Sequence, residues 1–124
     1  MRKRRKPEFV TLDSGSRERF PSGAVRDNRT GKGRYDLISP HGLQRLALLM
    51  ERGSAKYGDR NWERGIPESR CMDSAFRHMV QYMAGNREED HLAAAVFNLF
   101  AVMHFQAADG AAENNNSGGL TRGK

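Results

Sequence analysis

Cysteine is nearly absent: Cys71 is the only one in 124 residues. A disulfide within the chain is therefore excluded, and nothing in the sequence demands an oxidising compartment. No apolar run of transmembrane length stands out. The opening Met1-Arg-Lys-Arg-Arg-Lys has the charge of a secretory leader but no apolar stretch behind it. The expectation is a cytoplasmic protein without a membrane segment. Hydrophobic residues make up only 37% of the chain, and both ends are polar. The core must therefore come from the middle of a single domain.

The formal charge of +6 is unevenly placed. Residues 1–22 carry seven Lys/Arg against three Asp/Glu, residues 23–107 twelve against ten, and residues 108–124 two against two. The excess lies mostly at the N-terminus, so it says little about a basic face on the folded part. Residues 1–22 lack periodicity and read as a disordered basic arm, able at most to hold nucleic acid through its phosphates. Residues 108–124, with Asn114-Asn-Asn-Ser-Gly-Gly, read as a disordered polar tail.

Between these ends, residues 23–36 form a Gly-rich basic loop containing Arg26, Lys32 and Arg34. Glycine lets backbone approach a phosphate, and Arg and Lys supply charge. The Walker spacing is missing, so this is not a P-loop. Three helices follow. Ser39 and Pro40 make a helix start, and Leu43, Leu46, Ala47, Met50, Ser54 and Tyr57 recur at helical spacing until Gly58, which predicts a helix over 39–57. The loop after it carries Asn61 and the sole tryptophan, Trp62, which either anchors the loop or offers a flat face to a base. Lys56 and Tyr57 lie just before it. A second helix is expected over 67–84. Met72, Ala75, Phe76, Met79, Val80 and Met83 form its apolar stripe, Asp73 and Arg77 lie on one flank, and Ser74 and His78 on the other. Its methionines read as core filler.

The third helix, expected over 87–107, opens Glu88-Glu89-Asp90-His91 and continues apolar. Asn86 with Glu89 at N3 resembles a capping box, and acids in a first turn suit the helix dipole. Asp90, Ala94 and Asn98 share one face at i, i+4 and i+8. Leu92, Val96, Leu99, Phe100 and Met103 form a wide stripe, with Ala94, Phe97, Ala101 and Phe105 opposite. A helix apolar nearly all round should be central, which singles out Asp90, His91 and Asn98 as more than solvated surface. The fold class is all-α: a compact three-helix bundle over residues 23–107 with the Gly-rich loop packed on it. A core this small favours a homo-oligomer.

The chain resembles the phage dATP/dGTP diphosphohydrolase N-terminal domain family. The stretches that carry the resemblance are Ser22-Gly-Ala-Val-Arg-Asp, Gly31-Lys-Gly-Arg-Tyr-Asp-Leu, Lys56-Tyr-Gly-Asp-Arg-Asn-Trp-Glu-Arg-Gly, Asp73-Ser-Ala-Phe-Arg-His and Glu89-Asp-His-Leu-Ala-Ala-Ala-Val-Phe-Asn. The resemblance implies a helical protein of the infected cell's cytoplasm. It would act on purine deoxynucleotides, releasing monophosphate and pyrophosphate with Mg2+. All-α pyrophosphohydrolases hold Mg2+ through a Glu-Glu-x-x-Glu helix, which is absent here: Leu92 stands three after Glu89. The nearest replacements are Asp73, Glu89 and Asp90.

Two readings follow. As an enzyme, Asp90 with Glu89 and Asp73 would hold the metal, and Lys32, Arg34 and Arg77 would neutralise phosphate, helped by Arg26 and Lys56. His78 or His91 would position or deprotonate water, Trp62 or Tyr57 would stack the purine, and Asn61 or Asn98 would read its edge. As a non-catalytic binding module, the same groups would hold a nucleotide or a nucleotide-derived signal without cutting it.

Overall fold

The computed structural model describes residues 8–115. Expectations for residues 1–7 and 116–124 lie outside the described residues. The chain divides into two compact units, 1–37 and 38–124.

The first unit contains a small antiparallel hairpin of β1 (Arg17–Arg19) and β2 (Val25–Asp27). Pro21-Ser22-Gly23 makes the turn: the Gly23 N–H donates to the Phe20 carbonyl at 2.9 Å, and φ of 89° at Gly23 needs glycine. Residues 17–27, expected to belong to the disordered arm over 1–22 and the irregular loop over 23–36, instead form a short hairpin. Asp27 is its polar hub. It accepts from the Ser14 hydroxyl and backbone and from Lys32 Nζ at 3.0 Å. Further on, Arg34 forks onto Asp36 at 2.8 and 2.9 Å, beside a 3-10 turn over Tyr35–Leu37.

The second unit is three helices packed together. Helix α1 spans Pro40–Tyr57, with Ser39 Oγ accepting from the Gly42 N–H at 3.2 Å. Gly58, at φ 92°, ends it by returning its N–H to the Ser54 carbonyl at 2.8 Å. Helix α2 spans Glu68–Met83 after Pro67. Helix α3 spans His91–Asn115, so its last turns occupy residues expected to belong to the polar tail. Over His91–Gly110 it is long and apolar enough to cross a membrane by length and composition, contrary to the expectation that no run of that length is present.

Helix α3 starts later than expected. Asn86 Oδ1 accepts from the Glu88 N–H at 2.9 Å in a local Asx turn. The helix cap is Asp90, whose Oδ1 accepts from the Ala93 N–H at 3.1 Å. Glu88 and Glu89 precede the helix and are exposed.

Helix α3, expected to be central because it is apolar nearly all round, is buried on one side only. Ala93, Ala94, Ala95, Ala101 and Val102 are buried, whereas Leu92, Val96, Leu99, Phe100 and Met103 are exposed. Small side chains let helix axes approach closely, and large ones hold them apart. On α2 the buried residues are Cys71 and Ala75, and Met72, Phe76, Met79, Val80 and Met83 are exposed rather than core filler. The core is narrow: Cys71, Ala101 and Val102, flanked by Trp62, Ile66 and Phe105. Burial raises the Cys71 thiol pKa, which keeps it protonated and unreactive.

Candidate functional site

A cavity of about 900 Å3 opens within the helical unit, walled by α1, the 58–66 turn, α2 and the start of α3. Its size suits a drug-sized or nucleotide-sized ligand. Helix α1 brings Arg45, Arg52 and Lys56 to the wall at i, i+7 and i+11, which is one helical face. Helix α2 brings Ser74, Arg77, His78 and Tyr82, and α3 brings His91, Ala94, Phe97 and Asn98. The small Ala94 leaves the space that a larger residue would fill.

Asp90 holds the N-terminal corner of α3 in place. Arg45 donates to the Asp90 carboxylate from two of its three guanidinium nitrogens, Nη2 to Oδ1 at 2.6 Å and Nε to Oδ2 at 2.9 Å. The Arg45 guanidinium, joined by the Ala93 N–H, draws the Asp90 pKa down to about 2. Its negative charge is thus spent on tying α1 to the start of α3.

His78 and His91 meet through their ring edges, Nδ1 to Nδ1 at 2.8 Å, with the ring planes tilted by 40°. One ring must donate and the other accept. His91 is 2% exposed and its Nε2 is buried without a partner. An orphaned N–H is rarer in protein interiors than an under-used acceptor. His91 therefore donates from Nδ1 and leaves a bare lone pair at Nε2, and His78 accepts at Nδ1 and carries its proton on Nε2. Burial, then the positive Arg77 and then His91, lower the pKa of His78 against the opposing pull of Glu89. His78 is on these grounds a neutral hydrogen-bond donor on the cavity wall, and His91 sets its tautomer.

The aromatic groups differ in freedom. Trp62 is met edge-on by Phe97 and His104, with ring centroids 5.6 and 4.8 Å away, and more obliquely by Phe105 at 6.0 Å. It lines the cavity as the anchor of its loop. Tyr57 is exposed, with Lys56 Nζ 5.1 Å from its ring centre. The Tyr82 ring lies 3.9 Å under the Arg87 guanidinium. Asn98 donates from Nδ2 to the carbonyl of Ala94 at 2.8 Å.

Of the residues singled out from the sequence, Lys56, Tyr57, Asn61, Trp62, Arg77, His78, Glu89, Asp90, His91 and Asn98 share this wall. Asp73 is exposed on α2 and does not line it. Arg26, Lys32 and Arg34 belong to the N-terminal unit, where Lys32 is paired with Asp27 and Arg34 with Asp36. Sequence reasoning missed Arg45, Arg52, Arg60, Tyr82 and Arg87. Arg45 and Arg52 share a helical face with Lys56, but that face lies off the apolar stripe of α1, and nothing local marks it as a cavity wall.

Mg2+ requires oxygen donors in near-octahedral array. Asp90 has both oxygens engaged, Asp73 is off the wall, and no three His, Cys, Asp or Glu residues converge among the described residues. Asp73, Glu89 and Asp90 are therefore not gathered into one carboxylate cluster among the described residues.

Searches of curated proteins and of solved structures gave no match. A family model described as dATP/dGTP diphosphohydrolase, N-terminal, matches residues 22–115. That span takes in β2, all three helices and every residue of the cavity wall, and the chain belongs to this family.

Proposed function

We propose that the cavity binds a purine deoxynucleoside triphosphate, and that the chain hydrolyses dATP or dGTP to the monophosphate and pyrophosphate. One observation carries the binding: a single cavity joins Arg45, Arg52, Lys56, Arg60, Arg77 and Arg87 to the rings of Tyr57 and Tyr82. Clustered guanidinium and ammonium groups suit a polyphosphate, and aromatic faces suit a base. Arg77 and Lys56 would neutralise phosphate charge as it shifts during transfer. The Nε2–H of His78 would donate to a phosphate oxygen, a role different from that of a base activating water. Asn61 and Asn98 would read the purine edge. Mg2+ would arrive on the oxygens of the triphosphate, since such ions are commonly held by substrate phosphates with few protein ligands. The setting would be the cytoplasm of a phage-infected cell, where the reaction adjusts the purine deoxynucleotide pool, and the working form would be a homo-oligomer.

A second reading is favoured by the engagement of Asp90. Because its carboxylate is committed to Arg45 and to the helix cap, the chain has the means to hold a nucleotide without an obvious means to cut it. The test is incubation with dATP and with dGTP, with and without Mg2+, measuring pyrophosphate alongside calorimetric binding. Pyrophosphate release that falls at least tenfold in Arg77→Ala fits the hydrolase. Tight binding with no product fits the binding module, and no binding of either nucleotide sinks both.

A further inference from the structure

The outward faces of α2 and α3 are built to the same pattern. On α2, Met72, Phe76, Met79, Val80 and Met83 stand 48–81% exposed. On α3, Leu92, Val96, Leu99, Phe100 and Met103 stand 37–53% exposed. Each set follows the same spacing: the first residue, then four, seven, eight and eleven positions on. Steps of four, three and four are the a/d seam of a heptad, with Val80 and Phe100 widening it at e. The two helices run antiparallel, tied by Cys71 against Ala101 and Val102 at one end and by His78 against His91 at the other. The two seams therefore lie side by side.

We infer that this double seam is covered by the same seam of a second copy of the chain, giving a four-helix bundle of two α2–α3 pairs. The inference deepens the homo-oligomer of the proposed function and names its surface. Self-complementarity is one support: a face made of two equivalent stripes matches itself under a two-fold rotation. The geometry of paired antiparallel helices with a/d seams is that of four-helix bundles. Area is the second support. Ten side chains at about half exposure, each offering on the order of 200 Å2 when free, present about 1,000 Å2. A standard interface buries about 800 Å2 per partner, and monomers rarely leave patches of more than about 300–600 Å2 open. The seams hold no charged residue, which distinguishes them from the cavity side with its arginines and lysines. A lipid surface is the rival occupant, because α3 meets the length and composition of a membrane span.

The experiment is sedimentation velocity of the full chain without nucleotide, from about 1 to 100 µM. The expected result is a dimer or a multiple of it. Two charged-face chains accompany it, Phe76→Glu with Phe100→Glu, and Phe76→Lys with Phe100→Lys. Each alone should sediment as a monomer with helical circular dichroism retained, because neither position belongs to the buried core. Mixed in equal amounts at low salt, they should regain the dimer mass, since opposite charges now meet. A wild-type monomer across the concentration range overturns the inference, as does a dimer whose mass ignores both charged faces. A monomer that floats with neutral phosphatidylcholine vesicles also overturns it, in favour of lipid. Mass is read without nucleotide, so a cavity that failed to bind dATP would leave this result standing.

Discussion

Helix α3 has two sides made of different materials. One side is alanine, valine and a buried histidine, closed against the rest of its own chain; the other is leucine, phenylalanine and methionine, left open. In many amphipathic helices the large apolar residues seek the core. Here most of them face outward; Phe97 and Phe105 turn inward against Trp62, and small residues do the rest of the packing within the chain. The difference teaches that hydrophobic size and intramolecular burial are separable. Small residues bring α2 and α3 close and leave a cavity beside Ala94, and large residues supply area for association.

The inner side should be the intolerant one. Ala101→Leu forces a larger side chain into a site with no exposure, against Cys71 and Val102, and should cost about 3 kcal/mol in thermal or urea unfolding. Met103→Ala, one turn-fraction away on the outer side, should leave the stability of an isolated chain within about 0.5–1 kcal/mol while weakening self-association. Equal losses in the two variants would erase the distinction between the sides.

At the corner where the inner side begins, Asp90→Ala removes both a cap and an ion pair and should destabilise by about 2 kcal/mol. Asp90→Asn keeps a cap acceptor and should cost about half that. Because the folded pKa of Asp90 is depressed, its contribution is fully present above the unfolded value near 4 and is lost as pH falls toward about 2. Half-exposed Arg45 leaves the pair screened by solvent, which limits the contribution to no more than about 1 kcal/mol. Urea midpoints measured from pH 5 to 2 should therefore fall less steeply in Asp90→Asn than in wild type.

His78 produces a smaller effect in a higher pH window. Its pKa is lowered on folding, so the unfolded chain binds the proton first, and stability should decline as pH drops below the unfolded value near 6.5. His78→Gln should flatten that decline. Nitrogen-15 shifts should place the proton of His78 on Nε2 and that of His91 on Nδ1 in the neutral protein. The opposite pair of tautomers would make His78 the acceptor on the cavity wall.

How far the fold was legible depended on how local its determinants were. Ser39-Pro40, Gly58, Pro67 and Gly85 mark the ends of α1 and α2 in the sequence, and the structure places those ends within about a residue. The start of α3 was misplaced because Asn86 and Asp90 are both good caps. The choice between them involves Arg45, which is 45 positions away in the chain. Pro21-Ser22-Gly23 was a turn signal that the charge around it obscured. The orientation of α3 was not legible from polarity, because the helix is apolar on both sides; side-chain volume was the missing variable. On the cavity wall, His78, His91, Arg77 and Asn98 were marked by their helix positions, whereas Arg45 and Arg52 lie off the apolar stripe of α1 and carried no local signal. Asp90 was singled out as a metal ligand and catalytic group, and in this structure it caps α3 and pairs with Arg45.

The most direct measurement is nuclear magnetic resonance of the full chain titrated with dATP, following backbone amides and labelled methionine methyls together. The account predicts shifts at Ala94, Asn98 and His78 on the inner side, with the methyls of Met72, Met79 and Met103 unmoved. Shifts confined to those methionines, with the alanine side silent, would contradict it.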